Sequence, residues 1–440
     1  MTDRVAPVVM SRVAWPGPAG EGRVAVHESG EMAAVHAPDA IRLALFTDTY
    51  SPQLNGVSRT LDRLVRAVAA RGGAVRVYTT TDPGVDPQAS SGANIWRRPS
   101  LPFWAYPQLR IAAPVLGRAY PDIRRWRPTL IHAATPFGMG LAGRSCARAL
   151  GVPLVTSYHT SFNEYAKFYR LGALSAPGWA YIRWFHNSGA RTYAPTRAVL
   201  DELRARGFQR LAIWGRGVET RAFHAAFRDP AWRARFGADE QTVVVAYVGR
   251  LAAEKGLDTA LGAMHVLADR APGTVGRRCG ARSETGGAGG TRIVFALAGD
   301  GPYAAHCRRT APPAAHFVGR LEGAALSAFY ASADVFIFPS STDTFGNVLL
   351  EAMASGLAVI GADSGPTREI LASGGGVVVP RGDANALAQA IVALAENRAR
   401  RAELGARGVS YAASCSWNRV FDDLVEDYRA VMRSGRVAMR

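Results

Sequence analysis

The chain has 440 residues, of which 48% are hydrophobic and 9% aromatic, enough for two or three domains with real cores; wholesale disorder is excluded. It carries 52 Lys and Arg against 35 Asp and Glu, a formal net charge of +17, and the excess lies in the first half: residues 1–214 hold 26 basic and 13 acidic side chains, residues 215–440 hold 26 and 22. There is no short repeat, no apolar run near the ~18 residues of a membrane span and no secretory signal, and Cys146, Cys279, Cys307 and Cys415 are spaced like neither a zinc site nor a disulfide framework, so a reduced, cytoplasmic setting is expected.

Every basic residue except Lys167 and Lys255 is arginine, a skew that points to the composition of the source genome. No block of five or six like charges and no aromatic-interleaved basic run occurs, so nucleic acid is not an expected partner. An anionic membrane surface fits better, because the charge gathers in one half.

Residues 1–40 show no sustained period and read as a loose N-terminal extension. Order begins with IRLALFTDTY (41–50), a buried-strand run, followed by the loop SPQLNG and by Val57, Leu61, Leu64, Val65 and Val68 at helical spacing. AVRVYTT (74–80), TLIHAAT (129–135), VPLVTSYHT (152–160) and RTYAPT (191–196) continue as strands, with helices between them and a last one from Ala198 to Gly207. RDPAWRARFGADE, within the hinge expected near 212–240, reads as a polar connection. The alternation then restarts with TVVVAYVGR (242–250), a helix from about Gly256 to Arg270, and the strands RIVFALAGDG, HFVGRL, DVFIFPS, AVIGAD and GVVVP. The Gly/Ser/Arg-rich stretch 273–292 reads as a long mobile loop, and a helix from about Trp417 to Met432 closes the chain. The pattern predicts two doubly wound α/β domains with parallel sheets, 41–215 and 216–412, then a C-terminal segment 413–440. Open α/β sheets bind ligands at the carboxyl ends of their strands, so function belongs in the segments that follow each strand.

Asn55-Gly56 follows the first strand and opens a helix, where a glycine lets an anion approach backbone N–H groups; a purely structural glycine fits as well. It is neither a dinucleotide fingerprint nor a P-loop. His159 ends a strand at the expected cleft edge, either as a packed histidine or as a donor to a polar substrate, whereas His132 reads as packed and His186 as helical. Arg250 and Lys255 follow the first strand of the second half, and two cations at the mouth of a sheet suit a diphosphate. Lysine is almost absent elsewhere, which singles out Lys255. The most pointed stretch is Ser340 to Met353: Asp343 precedes a helix opened by Thr344, Phe345, Gly346 and Asn347, and Glu351 lies about one and a half turns in, placed to accept two hydrogen bonds from vicinal hydroxyls.

The spacing of Asp343 and Glu351 in TDTFGNVLLEAMASG resembles the E-x7-E signature of the family 4 retaining glycosyltransferases, and VGRLAAEKG (248–256), LAGDGP (297–302), FVGRL (317–321) and the His159 segment occur in that family's order. YSPQLNGV, SYHT and WGRGVE further resemble the subgroup of GDP-mannose-dependent α-mannosyltransferases and sulfoquinovosyltransferases. The likeness runs from about Ile41 to the C-terminus. It implies the GT-B fold, two Rossmann-like domains facing across a cleft, with the last helix packed back on the first. It also implies a nucleotide-sugar donor, a lipid or glycan acceptor and no metal or other cofactor. Residue by residue, Arg250 and Lys255 would bind the diphosphate, Glu351 the ribose, Asp343 the transferred sugar and His159 that sugar near its reacting carbon. Asn55 and Gly56 would back the phosphates, Gly319 and Arg320 would lie by the nucleobase, and residues 344–347 would form the donor loop. Asp343 stands where the family has Glu, Ser161 where relatives often have Asp, and Glu219 where Asp is common. The expected activity is transfer of α-mannose from GDP-mannose to a lipid or glycolipid by an enzyme that is cytoplasmic or peripheral to the membrane. The alternatives are a UDP-sugar-dependent enzyme making a glucuronosyl or sulfoquinovosyl glycolipid and, outside enzymes, a basic protein that binds nucleic acid or a membrane surface.

Overall fold

The computed structural model describes residues 40–53, 55–82, 94–103, 106–115, 117, 119–159, 175–270 and 291–437. The expected N-terminal extension apart from Ala40, the long loop apart from its last two residues, Thr160 and Ser161 lie outside the described residues.

The apolar runs form two wholly parallel sheets. In the first, β1 (Arg42–Phe46), β2 (Ala74–Thr80), β3 (Ile95–Arg98), β6 (Leu130–Ala133), β7 (Leu154–Ser157), β8 (Arg191–Ala194) and β9 (Leu211–Ile213) stand in the order β3-β2-β1-β6-β7-β8-β9. An antiparallel hairpin of β4 (Ser100–Phe103) and β5 (Tyr106–Ala112) branches off after β3. In the second sheet, β10 (Val243–Val248), β11 (Ile293–Ala298), β12 (Ala315–Gly319), β13 (Val335–Phe338), β14 (Ala358–Ala362) and β15 (Gly376–Val379) stand in the order β12-β11-β10-β13-β14-β15. Each sheet therefore reverses direction beside its first strand, between β1 and β6 and between β10 and β13. Loops on either side of such a reversal diverge and leave a crevice, and this is where the chain carries its polar segments.

The inner strands of each sheet are largely buried on both faces, which explains their continuous apolar reading: β11 is buried at all six positions. The helix Trp417–Val437 shares a core with the first sheet, where Phe421, Leu424, Val425, Tyr428, Val431 and Met432 pack with Leu43, Leu45, Leu64 and Val155. Its docking is reinforced by Arg71–Asp422 at 2.7 Å, by Arg191–Asp427 at 3.0 Å and by the Tyr193 hydroxyl donating to Asp427 at 2.7 Å. On its way to this helix the chain runs beside the earlier crossing, Val218 N–H donating to Cys415 O at 2.9 Å. A side chain on Gly217 would lie 2.6 Å from Trp417 N, so the two crossings approach closely only because residue 217 is glycine.

The stretch read as a polar connection is in fact structured. Asp229 caps a short helix, Pro230–Arg235, by accepting from Ala231 N–H at 2.8 Å, and Pro230 occupies the first turn. Trp232 and Phe236 enter the second domain's core, and the buried Arg233 pairs with Asp334 at 2.9 Å. Three arginines and three acidic residues in the stretch mask two buried aromatics, which is why it reads as solvent-facing.

Candidate active site

Segments that follow β1, β7, β10 and β13 meet here. After β10 the chain makes a 3-10 turn, Ala253–Lys255, that ends at Gly256 with φ +70°, where a Cβ would lie 2.3 Å from Pro339 O. Only glycine allows this loop to pass so close to the one that follows β13. Thr342 ties the same two loops together, its hydroxyl donating to Glu254 O at 3.1 Å. Lys255 Nζ then reaches Asp343 Oδ1 at 2.6 Å, while Asp343 Oδ2 is buried and makes no hydrogen bond among the described residues. Burial pushes the Asp343 carboxyl up, but the Lys255 ammonium outweighs it and holds the group below the ordinary carboxylate range. Arg250 lies behind, 3.8 Å from the buried Glu254 carboxylate.

Beyond Asp343, Gly346 takes φ +84° and opens the helix Asn347–Ala354, whose inward residues Leu349, Leu350, Ala352 and Met353 are buried. A side chain at residue 346 would press on the Phe338 ring at 2.9 Å, so the loop follows the strand without a gap. The Asn347 Oδ1 is buried and unbonded among the described residues. Glu351 accepts from the Tyr330 hydroxyl at 2.9 Å, and burial raises its carboxyl above the ordinary range against the opposing pull of Tyr330, Arg59 and Arg63.

From the first domain, Asn55 caps the helix Gly56–Ala70, its Oδ1 accepting from Ser58 N–H at 2.8 Å and its Nδ2 donating to Thr49 Oγ1 at 2.8 Å. A Cβ on Gly56 would stand 4.0 Å from Asn347 Nδ2, so the N-terminal ends of two helices, one from each domain, face each other next to Lys255. Free N–H groups and a helix dipole from each side meet beside the loop that carries Asp343 and its partner Lys255, an arrangement suited to a diphosphate. The domains also touch through Thr344, whose hydroxyl donates to His159 O at 2.9 Å. Both ring nitrogens of His159 have protein partners, Arg216 at Nδ1 and Ser157 at Nε2. At the periphery Gly319 ends β12 with φ +76° and open space on its side-chain face, and Arg320 pairs with Glu322, which also meets Arg59 of the first domain at 3.4 Å.

The structure thus gathers Asn55, Gly56, His159, Lys255, Asp343, Thr344, Gly346 and Asn347 at the meeting of the two domains, with Arg250 and Glu351 behind them and Gly319 and Arg320 at the rim. Sequence pattern alone assigns no role to Arg216, Tyr330, Ser157 or Glu254. Arg216, Ser157 and Glu254 fall within the motifs WGRGVE, SYHT and VGRLAAEKG, whereas Tyr330 carries no such signal.

Residues 54–222 match the family model described as Glycosyltransferase Family 4, and residues 228–410 match Glycosyl transferases group 1. The chain is 32% identical over 91% of its length to the whole of a GDP-mannose-dependent alpha-mannosyltransferase of Mycolicibacterium smegmatis. It is 33% identical over 75% of its length to a sulfoquinovosyl transferase of Arabidopsis thaliana, covering 61% of that protein. Among solved structures it superimposes on sucrose-phosphate synthase from Thermosynechococcus elongatus with a TM-score of 0.70 at 20% identity, covering 90% of this chain and 100% of the other. Against Anabaena HepE in complex with UDP and glucose the TM-score is 0.66 at 17% identity, covering 88% and 98%. The fold is GT-B, and the crevice at its two reversal points is that of a nucleotide-sugar-dependent glycosyltransferase. The chain belongs to family 4 of the glycosyltransferases.

Proposed function

We propose that this enzyme transfers mannose from GDP-mannose, with retention at the anomeric carbon, to a hydroxyl of a lipid or glycolipid. The observation that carries the reading is the contact of Lys255 with Asp343 at 2.6 Å beside two facing helix N-termini. It sets a cation for the leaving diphosphate next to a carboxylate for the sugar hydroxyls. Mannose and guanine are supported by the mycobacterial relative, which matches along its whole length under the name GDP-mannose-dependent alpha-mannosyltransferase. A lipid acceptor is supported by a 27% identical relative named alpha-monoglucosyldiacylglycerol synthase, of Streptococcus pneumoniae.

In the reaction the bond from the anomeric carbon to the diphosphate oxygen breaks, and a bond to the acceptor oxygen forms on the same face. The acceptor's proton passes to the departing phosphate, so no protein nucleophile is needed. Arg250, Lys255 and the two helix ends stabilise the charge that grows on the leaving group, and a group so placed contributes about a hundred- to a thousand-fold in rate. Glu351 accepts from the ribose hydroxyls, Asp343 Oδ2 from the sugar, and Gly319 and Arg320 flank the base. The cations take the part a divalent ion would otherwise fill, and the reaction runs without metal. Nucleic acid is not a partner in this reading.

The second reading is a UDP-sugar-dependent enzyme making a glucuronosyl or sulfoquinovosyl glycolipid, and the plant relative named sulfoquinovosyl transferase favours its sulfoquinovosyl form. Thermal shifts with GDP, UDP, ADP and their sugar conjugates, all in EDTA, separate the two. Stabilisation by GDP and GDP-mannose, worth about 2.7 kcal/mol at a hundred times Kd, is the expected result. A response to UDP-sugars alone replaces the donor, and silence with every nucleotide removes the assignment.

A further inference from the structure

Behind the donor-facing groups runs a line of buried polar side chains that no step of the reaction uses. It starts at Arg216, 7% exposed, whose Nη1 donates to Trp214 O at 2.7 Å and to Gly215 O at 2.9 Å, and whose Nη2 lies 2.9 Å from His159 Nδ1. His159 Nε2 lies 2.8 Å from Ser157 Oγ, the same hydroxyl lies 2.8 Å from His132 Nε2, and His132 Nδ1 lies 2.7 Å from the Tyr428 hydroxyl on the C-terminal helix. His132 and Tyr428 are fully buried and Ser157 is 2% exposed. The Trp214 ring packs edge-on against both histidines, at 5.4 Å from His159 and 5.7 Å from His132.

A guanidinium has N–H donors and no acceptor, so the nitrogen it meets must offer a lone pair. His159 Nδ1 is therefore unprotonated, Nε2 carries the proton, and that proton goes to Ser157. A second proton on Nδ1 would point at the Arg216 N–H and cannot be accommodated. The titratable groups around the ring are Arg216, His132 and His186; burial holds both of these histidines neutral, at about 3, and no carboxylate is among the charges that act on the ring. We propose that Arg216 is a positioning residue that locks His159 in its neutral Nε2–H form, anchored through Ser157, His132 and Tyr428 to the C-terminal helix, so that His159 serves the donor loop through its backbone carbonyl and never as an acid or base. That carbonyl is the one that accepts from Thr344, next to Asp343. The lock itself stands on hydrogen-bond chemistry; only its catalytic consequence rests on the proposed function.

Long-range proton–nitrogen spectra of the full-length chain, labelled at histidine nitrogen and assigned with His159→Gln, test it. Between pH 5 and 8 His159 is expected as the Nε2–H tautomer with no titration, and Arg216→Met is expected to let the ring titrate or change tautomer. An Nδ1–H tautomer or a wild-type titration near the ordinary histidine value overturns the proposal. Release of mannose from GDP-mannose gives a second readout. Tyr428→Phe and Ser157→Ala are each expected to lower kcat about ten-fold with little change in the KM for donor, since a small displacement of a positioned group is enough for such a loss. Variants that melt earlier but keep both kcat and the tautomer reduce the chain to packing and overturn it. If the wild-type enzyme turns over neither GDP-mannose nor a UDP-sugar, the proposed function fails while the spectra still decide the lock.

Discussion

Lys255 and Asp343 constrain each other in opposite directions, and that makes the pair readable by experiment. Asp343 is ionised because Lys255 overcomes its burial, so Lys255→Ala leaves a buried carboxylate without its cation and, in the proposed reaction, a diphosphate without one of its two positive partners. The expected loss in kcat/KM is about a hundred- to a thousand-fold, measured with GDP-mannose as donor. In the wild-type enzyme the depressed Asp343 pKa contributes stability that is fully present above the unfolded-state value near 3.8 and is lost as the pH falls through the lower folded value. Melting curves at pH 7 and pH 3 should therefore differ less in Lys255→Ala than in wild type. Glu351 behaves in the opposite sense. Burial raises its pKa, so its contribution is present below about 4.5 and is lost as the pH rises through its higher folded value. Glu351→Gln, which stays neutral, is expected to melt higher than wild type at pH 8 and to match it more closely at pH 4; if Glu351 holds the ribose as proposed, the variant binds GDP about ten-fold more weakly for want of a charged acceptor. Equal offsets at both pH values would mean that the carboxylate is not strained in the folded chain.

At the scale of elements, the site depends on how closely two loops can pass. Gly256→Ala puts a methyl group 2.3 Å from Pro339 O at φ +70°, whereas Gly382→Ala imposes the same left-handed strain at φ +74° with nothing within 4 Å. The second variant should cost about 1–2 kcal/mol in urea unfolding and leave turnover intact. The first should cost more and also lower turnover, because the clash pushes the loop bearing Lys255 away from the loop bearing Asp343. Equal effects of the two substitutions would mean that the approach of these loops does not position the site. The same distinction between local and distant causes separates what was legible in the sequence. Strands such as Val243–Val248 and Ile293–Ala298 are continuous apolar runs and could be read directly, and the site residues at their carboxyl ends could be read with them. The strand Ile95–Arg98 and the hairpin strands Ser100–Phe103 and Tyr106–Ala112 give no such signal, since arginines and prolines interrupt every apolar run there. The line from Arg216 to Tyr428 was illegible for another reason. Its links join residues as far as 296 positions apart, and a histidine in an apolar strand such as His132 reads simply as packed.

For the whole molecule, the question is how a protein with no helix among its described residues long and apolar enough to cross a membrane would meet a lipid acceptor. The charge of the first half points to an anionic surface, yet the structure divides those arginines into two groups. Arg97 donates to Thr80 O and Ser51 O, and Arg110 to Thr81 O and Ser100, so much of their hydrogen-bonding capacity is spent inside the fold. Arg124, Arg125 and Arg127 are exposed at the end of the helix Ala119–Trp126 and just beyond it. In the same domain Leu101, at the hairpin, is 76% exposed and Val115 55%, apolar side chains that gain from leaving water. We therefore expect the triple replacement of Arg124, Arg125 and Arg127 by Gln to weaken co-sedimentation with phosphatidylserine vesicles about a hundred-fold, from about 1 kcal/mol per residue near the surface. Gln at Arg97 and Arg110 should act mainly on folding. Raising the salt should reproduce the triple variant's defect in the wild-type chain, since exposed charges are screened within about 10 Å at 0.1 M. Binding that is equal on anionic and neutral vesicles would instead assign the positive charge to composition alone and leave the acceptor to reach the cleft without electrostatic docking.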